Sequence, residues 1–82
     1  MTRDEILVVV KKNVLEVLDG LNPDEFSPTK PLTDLGADSL RTVEIISLCT
    51  RELRIKVPHS AFGSAKTADQ LAELFHSHQG PK

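Results

Sequence analysis

One serine stands where its hydroxyl could do chemistry. The segment from Leu35 to Ile45 reads LGADSLRTVEI, and Ser39 falls at the predicted first turn of a helix. Serine is a modest helix former but a good helix cap, because its hydroxyl hydrogen-bonds to nearby backbone groups. Ser39 is therefore either a structural cap or a residue whose hydroxyl is modified.

Four roles are open for Ser39: a helix cap, a hydrolase nucleophile, an attachment point for a phosphate-bearing group, or a site of regulatory phosphorylation. A nucleophile needs a base within hydrogen-bond reach, and all three histidines lie far along the chain. A phosphate is stabilised at a helix N-terminus by unpaired N–H groups and by the helix dipole. Because a partner enzyme can perform the attachment, the missing base argues only against the hydrolase.

Cysteine and histidine could also carry chemistry, but the sequence predicts no chemical role for either. Cys49 is the single cysteine and falls on an apolar helix face, so we expect a buried, unreactive thiol. A lone cysteine also excludes an internal disulfide and is typical of a reducing compartment. His76 and His78 have no further ligands nearby, so we predict no metal site.

The first predicted helix begins near the N-terminus. Thr2 and Glu5 have the spacing of a capping box, and Asp19–Gly20 is a stop signal. Between them an apolar stripe repeats at three- and four-residue steps, which indicates a helix. The stripe consists of Ile6, Leu7, Val10, Val14, Val17 and Leu18.

A long connection follows, from Leu21 to Ala37, with three prolines and one glycine. Connections of this length in small domains are uncommon unless they are packed or functional. We expect an ordered segment held on the bundle by four apolar anchors. These are Leu21, Phe26, Leu32 and Leu35.

The second predicted helix runs from Ser39 to Arg54, with Asp38 or Ser39 as its N-cap. At 3.6 residues per turn it separates into two faces. The core face contains Thr42, Ile45, Ile46, Cys49 and Leu53, with Val43 at its edge. The solvent face contains Leu40, Glu44, Ser47, Leu48, Arg51 and Arg54.

The remaining chain predicts a short helical turn over His59–Phe62, ending at Gly63, and a last helix that continues to about His78. Thr67 and Gln70 form the capping-box spacing of that last helix. The predicted fold is all-α, a small four-helix bundle with three main helices, a short third helix and a long first loop. We expect one domain over residues 1–82, ordered from 2 to 78, with a frayed tail at 79–82.

Composition narrows the classes of partner. The net charge is −2, which disfavours binding a polyanion through bulk charge. Aromatic residues make up only 4% of the chain, which leaves little for stacking on bases. No apolar run approaches membrane-spanning length, and the N-terminus lacks the pattern of a signal peptide. We therefore predict a cytoplasmic monomer that binds neither nucleic acid nor membranes.

From Ile6 to Phe75 the sequence resembles the acyl carrier proteins and their peptidyl carrier relatives. The strongest part is PLTDLGADSLRTVEI, which contains the attachment motif Gly-x-Asp-Ser-Leu at residues 36–40. Downstream, ELRIKVP resembles the end of the family's second helix, and KTADQLAELF resembles its last helix.

The resemblance implies covalent 4'-phosphopantetheine on Ser39, transferred from coenzyme A by a phosphopantetheinyl transferase, with Asp38 and Leu40 flanking the attachment point. Acyl groups would be carried on the arm as thioesters. The carrier would catalyse nothing and would present its cargo to acyltransferases, ketosynthases or other assembly-line enzymes.

In this family the start and outer face of the second helix meet partner enzymes. Those positions here are Asp38, Leu40, Arg41, Glu44, Ser47, Leu48 and Arg51. Fatty-acid carriers tend to have acids where this chain has Arg41 and Arg51, so the sequence favours a polyketide or hybrid assembly line. The alternatives are a fatty-acid or peptidyl carrier, or an unmodified helical interaction module that only shares the cap.

Fatty-acid carriers can also enclose the acyl chain between helices. Four residues could line such a gap, although ordinary core packing is the favoured interpretation. They are Val43, Ile46, Ala65 and Ala72.

Overall fold

The computed structural model describes residues 1–79 and confirms the all-α prediction. Its three α-helices are α1 (Arg3–Val17), α2 (Ser39–Leu53) and α3 (Ala68–Ser77). Three short 3₁₀ helices lie between them, at Pro23–Glu25, Leu32–Leu35 and His59–Ser64. Within residues 1–79 the only extended pairing is an isolated bridge between Pro31 and Thr67.

Helix α1 begins as its sequence predicts. The Thr2 hydroxyl accepts from the backbone N–H of Glu5, and the Glu5 side chain accepts from the N–H of Thr2, which completes the capping box. The helix ends at Val17, two residues before the predicted stop, with Leu18 as its C-cap.

Helix α1 packs against both α2 and α3. It runs antiparallel to α2, since Lys12 pairs with Glu52 near one end of the contact and Val17 meets Arg41 near the other. Arg3 forms ion pairs with Asp69 and Glu73 of α3. The three helices thus enclose one apolar core.

The largest fully buried side chains come from all three helices and from the loop. They are Phe75, Ile6, Leu32, Ile45, Leu71, Val10, Val14 and Cys49. Asn13 is the one buried polar residue of the described chain, with 3% of its surface exposed. Its amide donates to the carbonyl of Val9 at 3.1 Å and to the Glu52 carboxylate at 3.4 Å, so its burial is compensated.

The long connection is ordered, and its four predicted anchors are confirmed. Leu32 and Leu35 are buried, while Leu21 and Phe26 are half-buried against the core. The connection is also bonded to the start of α3, because Leu32 N–H donates to the Lys66 carbonyl at 2.8 Å. The segment that leads into α2 is therefore held both by its apolar contacts with the core and by a backbone hydrogen bond to Lys66.

Helix α2 is one residue shorter than predicted. It ends at Leu53, and Arg54 adopts a left-handed conformation with φ 57° as its C-cap. The capping box of α3, between Thr67 and Gln70, forms as predicted.

The predicted frayed tail falls partly outside the described residues. Residues 80–82 lie outside them, and the Gln79 side chain hydrogen-bonds to both the N-terminal ammonium and the carbonyl of Met1. No helix within residues 1–79 has the length and apolar character needed to span a membrane.

Candidate functional site

Asp38, and not Ser39, caps α2. The Asp38 carboxylate accepts a hydrogen bond from the backbone N–H of Arg41 at 2.9 Å. Ser39 is the first residue of the helix and is exposed. Its hydroxyl has no hydrogen-bond partner among residues 1–79. The interpretation of Ser39 as a simple cap is therefore wrong, and its hydroxyl is free.

The backbone around Ser39 suits a phosphate. The N–H groups of Ser39 and Leu40 precede the first intrahelical bond of α2 and find no protein acceptor in the described chain. The positive end of the helix dipole lies at the same place. An exposed hydroxyl beside unpaired donors fits a covalently attached phosphodiester.

Gly36 turns the chain into this site. It has φ 107°, a left-handed conformation that costs a residue with a side chain about 1–2 kcal/mol. Its N–H and that of Ala37 close the Leu32–Leu35 3₁₀ helix by bonding to Thr33 and Leu32. Ala37 is then buried, while the next two residues emerge at the surface.

The outer face of α2 lies beside Ser39. Leu40 is 72% exposed, and Glu44, Ser47 and Arg51 are exposed along the same face, as predicted. Arg41 is also exposed, but its guanidinium donates to the carbonyl of Val17 at 3.2 Å. That contact supplies a cation to the C-terminal end of α1, whose own last turn has no basic residue.

The solvent-exposed position predicted for Leu48 is wrong. Leu48 is half-buried. It follows Leu40 by eight residues and is therefore rotated by about 80° toward the buried side at Ile45. Leu48 lies at the margin of the outer face.

A groove opens beside Ser39 between α2 and the His59–Ser64 helix, with a volume of about 690 Å³. Val43, Ile46 and Ala65 line it. The favoured interpretation as ordinary core is confirmed for Ala65, which is buried, and for Ile46, which packs against the core. It is wrong for Val43, which is exposed. Val43 is 47% exposed, so residues 1–79 leave about half of its side chain uncovered. Ala72 is fully buried and packs in the core, so the interpretation of Ala72 as a core residue is confirmed.

The far wall of the groove was not predicted from the sequence. Phe62 and His59 line it, and their rings meet edge to face with centroids 6.5 Å apart. Phe62 also packs against the buried Phe75 at 5.7 Å. The spacing of these two residues on a short helical turn was the available signal, since residues three apart share one face of a 3₁₀ helix.

The remaining titratable candidates lie away from this site. Cys49 is fully buried, as predicted, and burial raises the pKa of its thiol to about 11. In the part of the chain that the structure describes, no cluster of three or more histidine, cysteine or acidic side chains could hold a metal ion. His76 and His78 lie at the end of α3.

Comparison with known proteins identifies the class. The family model described as "Phosphopantetheine attachment site" matches residues 9–75, which include the exposed serine and the helices around it. The chain belongs to this family of phosphopantetheine-binding carriers, and its cofactor is covalent 4'-phosphopantetheine.

Similar proteins indicate which type of carrier the chain is. The chain is 34% identical to the polyketide biosynthesis acyl-carrier-protein AcpK of Bacillus subtilis, across 93% of both chains. It is 35% identical to an acyl carrier protein of Cyanidioschyzon merolae, over 96% of this chain and 87% of that protein. It is an acyl carrier protein of polyketide biosynthesis, and such carriers are not themselves catalysts.

A solved structure agrees in fold. It is the crystal structure of the curacin biosynthetic pathway HMG synthase in complex with an acetyl donor acyl carrier protein. The match has a TM-score of 0.84 and 31% identity, and covers 94% of this chain and 99% of that chain. The fold of this chain, three main helices with a short helix at His59–Ser64 between the last two, is thus the acyl carrier fold.

Proposed function

We propose that Ser39 is the attachment residue and that a separate phosphopantetheinyl transferase modifies it. The Ser39 oxygen forms a bond to the phosphorus next to pantetheine in coenzyme A, and adenosine 3',5'-bisphosphate leaves. The hydroxyl proton passes to a base of the transferase. The observation that carries the proposal is the exposed, unbonded Ser39 hydroxyl on a helix already capped by Asp38.

When attached, the group supplies a terminal thiol on which acyl groups are carried as thioesters. The residues of this chain hold the other end. The unpaired N–H groups of Ser39 and Leu40 would hold the phosphate, and Asp38 keeps the first turn of α2 in place. Tethering raises the local concentration of the acyl group at each enzyme that the carrier visits.

Loading is tested by mass. The full chain is incubated with coenzyme A and a broad-specificity phosphopantetheinyl transferase, and its intact mass is measured. We expect the addition of one phosphopantetheinyl group to the native chain and none to Ser39→Ala. Ser77→Ala is the matched control, since Ser77 is an exposed serine at the end of α3, outside the start and outer face of α2, and it should load normally. An unmodified native chain would favour the helical interaction module instead.

We infer that the partner-binding surface is the start and outer face of α2. It consists of Asp38, Leu40, Arg41, Glu44, Ser47, Leu48 and Arg51. Its exposed apolar residue, Leu40, adjoins Ser39, which is typical of a contact that brings the arm to an active site. The carrier works as a cytoplasmic monomer, and its partners include acyltransferases and ketosynthases.

An HMG synthase is a further partner to test. The support is the structural neighbour, an acetyl donor carrier in complex with such an enzyme, which is 31% identical to this chain. Binding of the loaded carrier to the curacin pathway HMG synthase is measured by titration, with Arg51→Glu as the variant. We expect Arg51→Glu to change the affinity. Unchanged binding to this and other assembly-line enzymes would remove Arg51 from the surface.

A further inference from the structure

The backbone carbonyl of Asp38 accepts two hydrogen bonds from one residue. The N–H of Thr42 donates to it at 2.9 Å, which is the first intrahelical bond of α2. The side-chain hydroxyl of Thr42 donates to the same oxygen at 2.8 Å. Both bonds can form together, because a carbonyl oxygen has two lone pairs. The start of α2 therefore has one hydrogen bond more than the helical backbone requires.

The additional bond bears on the attachment residue, because the Asp38 carbonyl and the Ser39 N–H belong to the same peptide bond. That peptide bond is trans and planar, so its carbonyl and its N–H point in opposite directions. The carbonyl points along α2 toward Thr42, and the Ser39 N–H therefore points out of the helix N-terminus. Within residues 1–79 this N–H has no protein acceptor.

Hydrogen bonds joined through a peptide bond strengthen one another. A donor on the carbonyl oxygen draws electron density toward it and leaves the N–H of the same peptide bond more positive, so that the N–H becomes a stronger donor. At Ser39 the gain is directed at a phosphate on the serine's own oxygen. The Thr42 hydroxyl also restrains the tilt of the peptide bond, and with it the direction of that N–H.

A second threonine of α2 makes the same bond without this consequence. The Thr50 hydroxyl donates to the carbonyl of Ile46 at 2.8 Å, in the body of the helix. The N–H on that peptide bond belongs to Ser47 and is directed at the carbonyl four residues earlier, as in any α-helix. The chain thus contains the same interaction once at the attachment residue and once away from it.

We propose that Thr42 is a positioning residue for phosphopantetheine attachment, because its hydroxyl orients and polarises the peptide bond whose N–H holds the phosphate at Ser39. The proposal rests on attachment at Ser39 and adds a residue that acts on it through the backbone. The Thr42 hydroxyl keeps its proton and makes no bond to the phosphate. Its removal should slow the transfer step about 1.5- to fourfold, the effect of weakening one hydrogen bond to a charged group by 10–30%.

The rate of loading tests the proposal on the full chain. Single-turnover reactions with coenzyme A and an excess of a phosphopantetheinyl transferase, followed by intact mass, give the rate constant of transfer and the transferase concentration at half-saturation. Thr42→Val keeps the shape of the side chain without the hydroxyl. We expect it to lower the rate constant by that factor and to leave half-saturation unchanged, because the N–H meets the phosphate only during transfer.

Two further variants at this position separate the hydroxyl from packing. Thr42→Ser keeps the hydroxyl and should restore the native rate constant. Thr42→Ala lacks the hydroxyl and the branched side chain, and it should load as slowly as Thr42→Val. It therefore tests the proposal even if valine disturbs the fold.

Nuclear magnetic resonance observes the donor directly. The backbone amide proton of Ser39 should move downfield when the native chain is loaded, less far in Thr42→Val, and as far as in the native chain in Thr42→Ser. Thr50→Val is the matched control, since it removes the same type of bond from the same helix. It should leave both the Ser39 shift and the rate constant at their native values.

The outcomes that contradict the proposal are distinct from those that contradict the attachment. Equal rate constants and equal Ser39 shifts in the native chain and Thr42→Val would overturn the role of Thr42. Equal effects of Thr42→Val and Thr50→Val would also overturn it, as would a change in half-saturation alone. A native chain that gains no mass would overturn attachment at Ser39 instead.

Discussion

The side chain of Asp38 accepts the N–H of Arg41 at 2.9 Å and so closes the N-terminus of α2 one residue before the serine. Capping the helix and offering a free hydroxyl, the two roles considered for Ser39, therefore belong to two adjacent residues. Asp38 stabilises the helix, and the hydroxyl of Ser39 has no structural bond among the described residues to lose when it is esterified. This division predicts different outcomes for substitution at the two positions.

Replacing Asp38 should weaken the fold. Asp38→Ala removes the acceptor of the Arg41 N–H, and we expect it to lower the free energy of unfolding by about 0.5–2 kcal/mol, the usual cost of a lost N-cap. Urea denaturation measures the change. Asp38→Asn keeps an oxygen in place and should stay close to the native value. Equal stability of the alanine and native proteins would show that another group caps α2.

Replacing Ser39 should leave the fold almost unchanged. The side chain is exposed and unbonded within residues 1–79, so Ser39→Ala should alter the free energy of unfolding by no more than about 0.5 kcal/mol. The same urea titration measures it. A loss above about 2 kcal/mol, beyond the range for a helix cap, would assign Ser39 a structural role.

Leu40 should matter for partners and not for stability. With 72% of its surface exposed, it contributes little to the core, so Leu40→Ala should change stability by less than about 0.5 kcal/mol. Affinity for an assembly-line enzyme should fall, since an exposed leucine beside the arm would be buried in the complex. Calorimetric titration of the loaded carrier measures it. Val8→Ala is a control on α1, where an exposed valine lies away from Ser39. Equal losses from both variants would contradict a specific role for Leu40.

Much of the fold followed from local signals. The capping boxes at Thr2 and Thr67 fixed the starts of α1 and α3, because each satisfies backbone donors with residues three apart in the sequence. The spaced apolar residues of the loop, such as Leu32 and Leu35, correctly predicted that it packs on the bundle. Such patterns predict the structure of the segment that contains them, but not its contacts with other segments.

What could not be predicted depends on contacts between segments. The groove forms because His59 and Phe62 stand opposite Val43, and no local pattern gives the distance between two helices. The bond from Arg41 to the carbonyl of Val17 likewise joins residues 24 positions apart. The burial of Leu48 was predicted wrongly for a related reason. Whether a residue at the margin of a helical face is buried depends on the side chains packed beside it in space.

The thiol of Cys49 should make stability depend on alkaline pH. Burial raises its pKa from 9.0 to about 11, so the folded protein keeps a proton that the unfolded chain releases. The stability that depends on the protonated thiol is fully present below pH 9 and is lost as the pH rises toward 11. The free energy of unfolding should therefore fall across this range. Urea denaturation at pH 8, 9, 10 and 11 measures the slope. Cys49→Ala should be less stable at every pH, because the substitution leaves a cavity. Its free energy of unfolding should nevertheless fall less steeply with pH, since the variant has no thiol to ionise. Parallel slopes for the two proteins would mean that the thiol ionises equally in the folded and unfolded states.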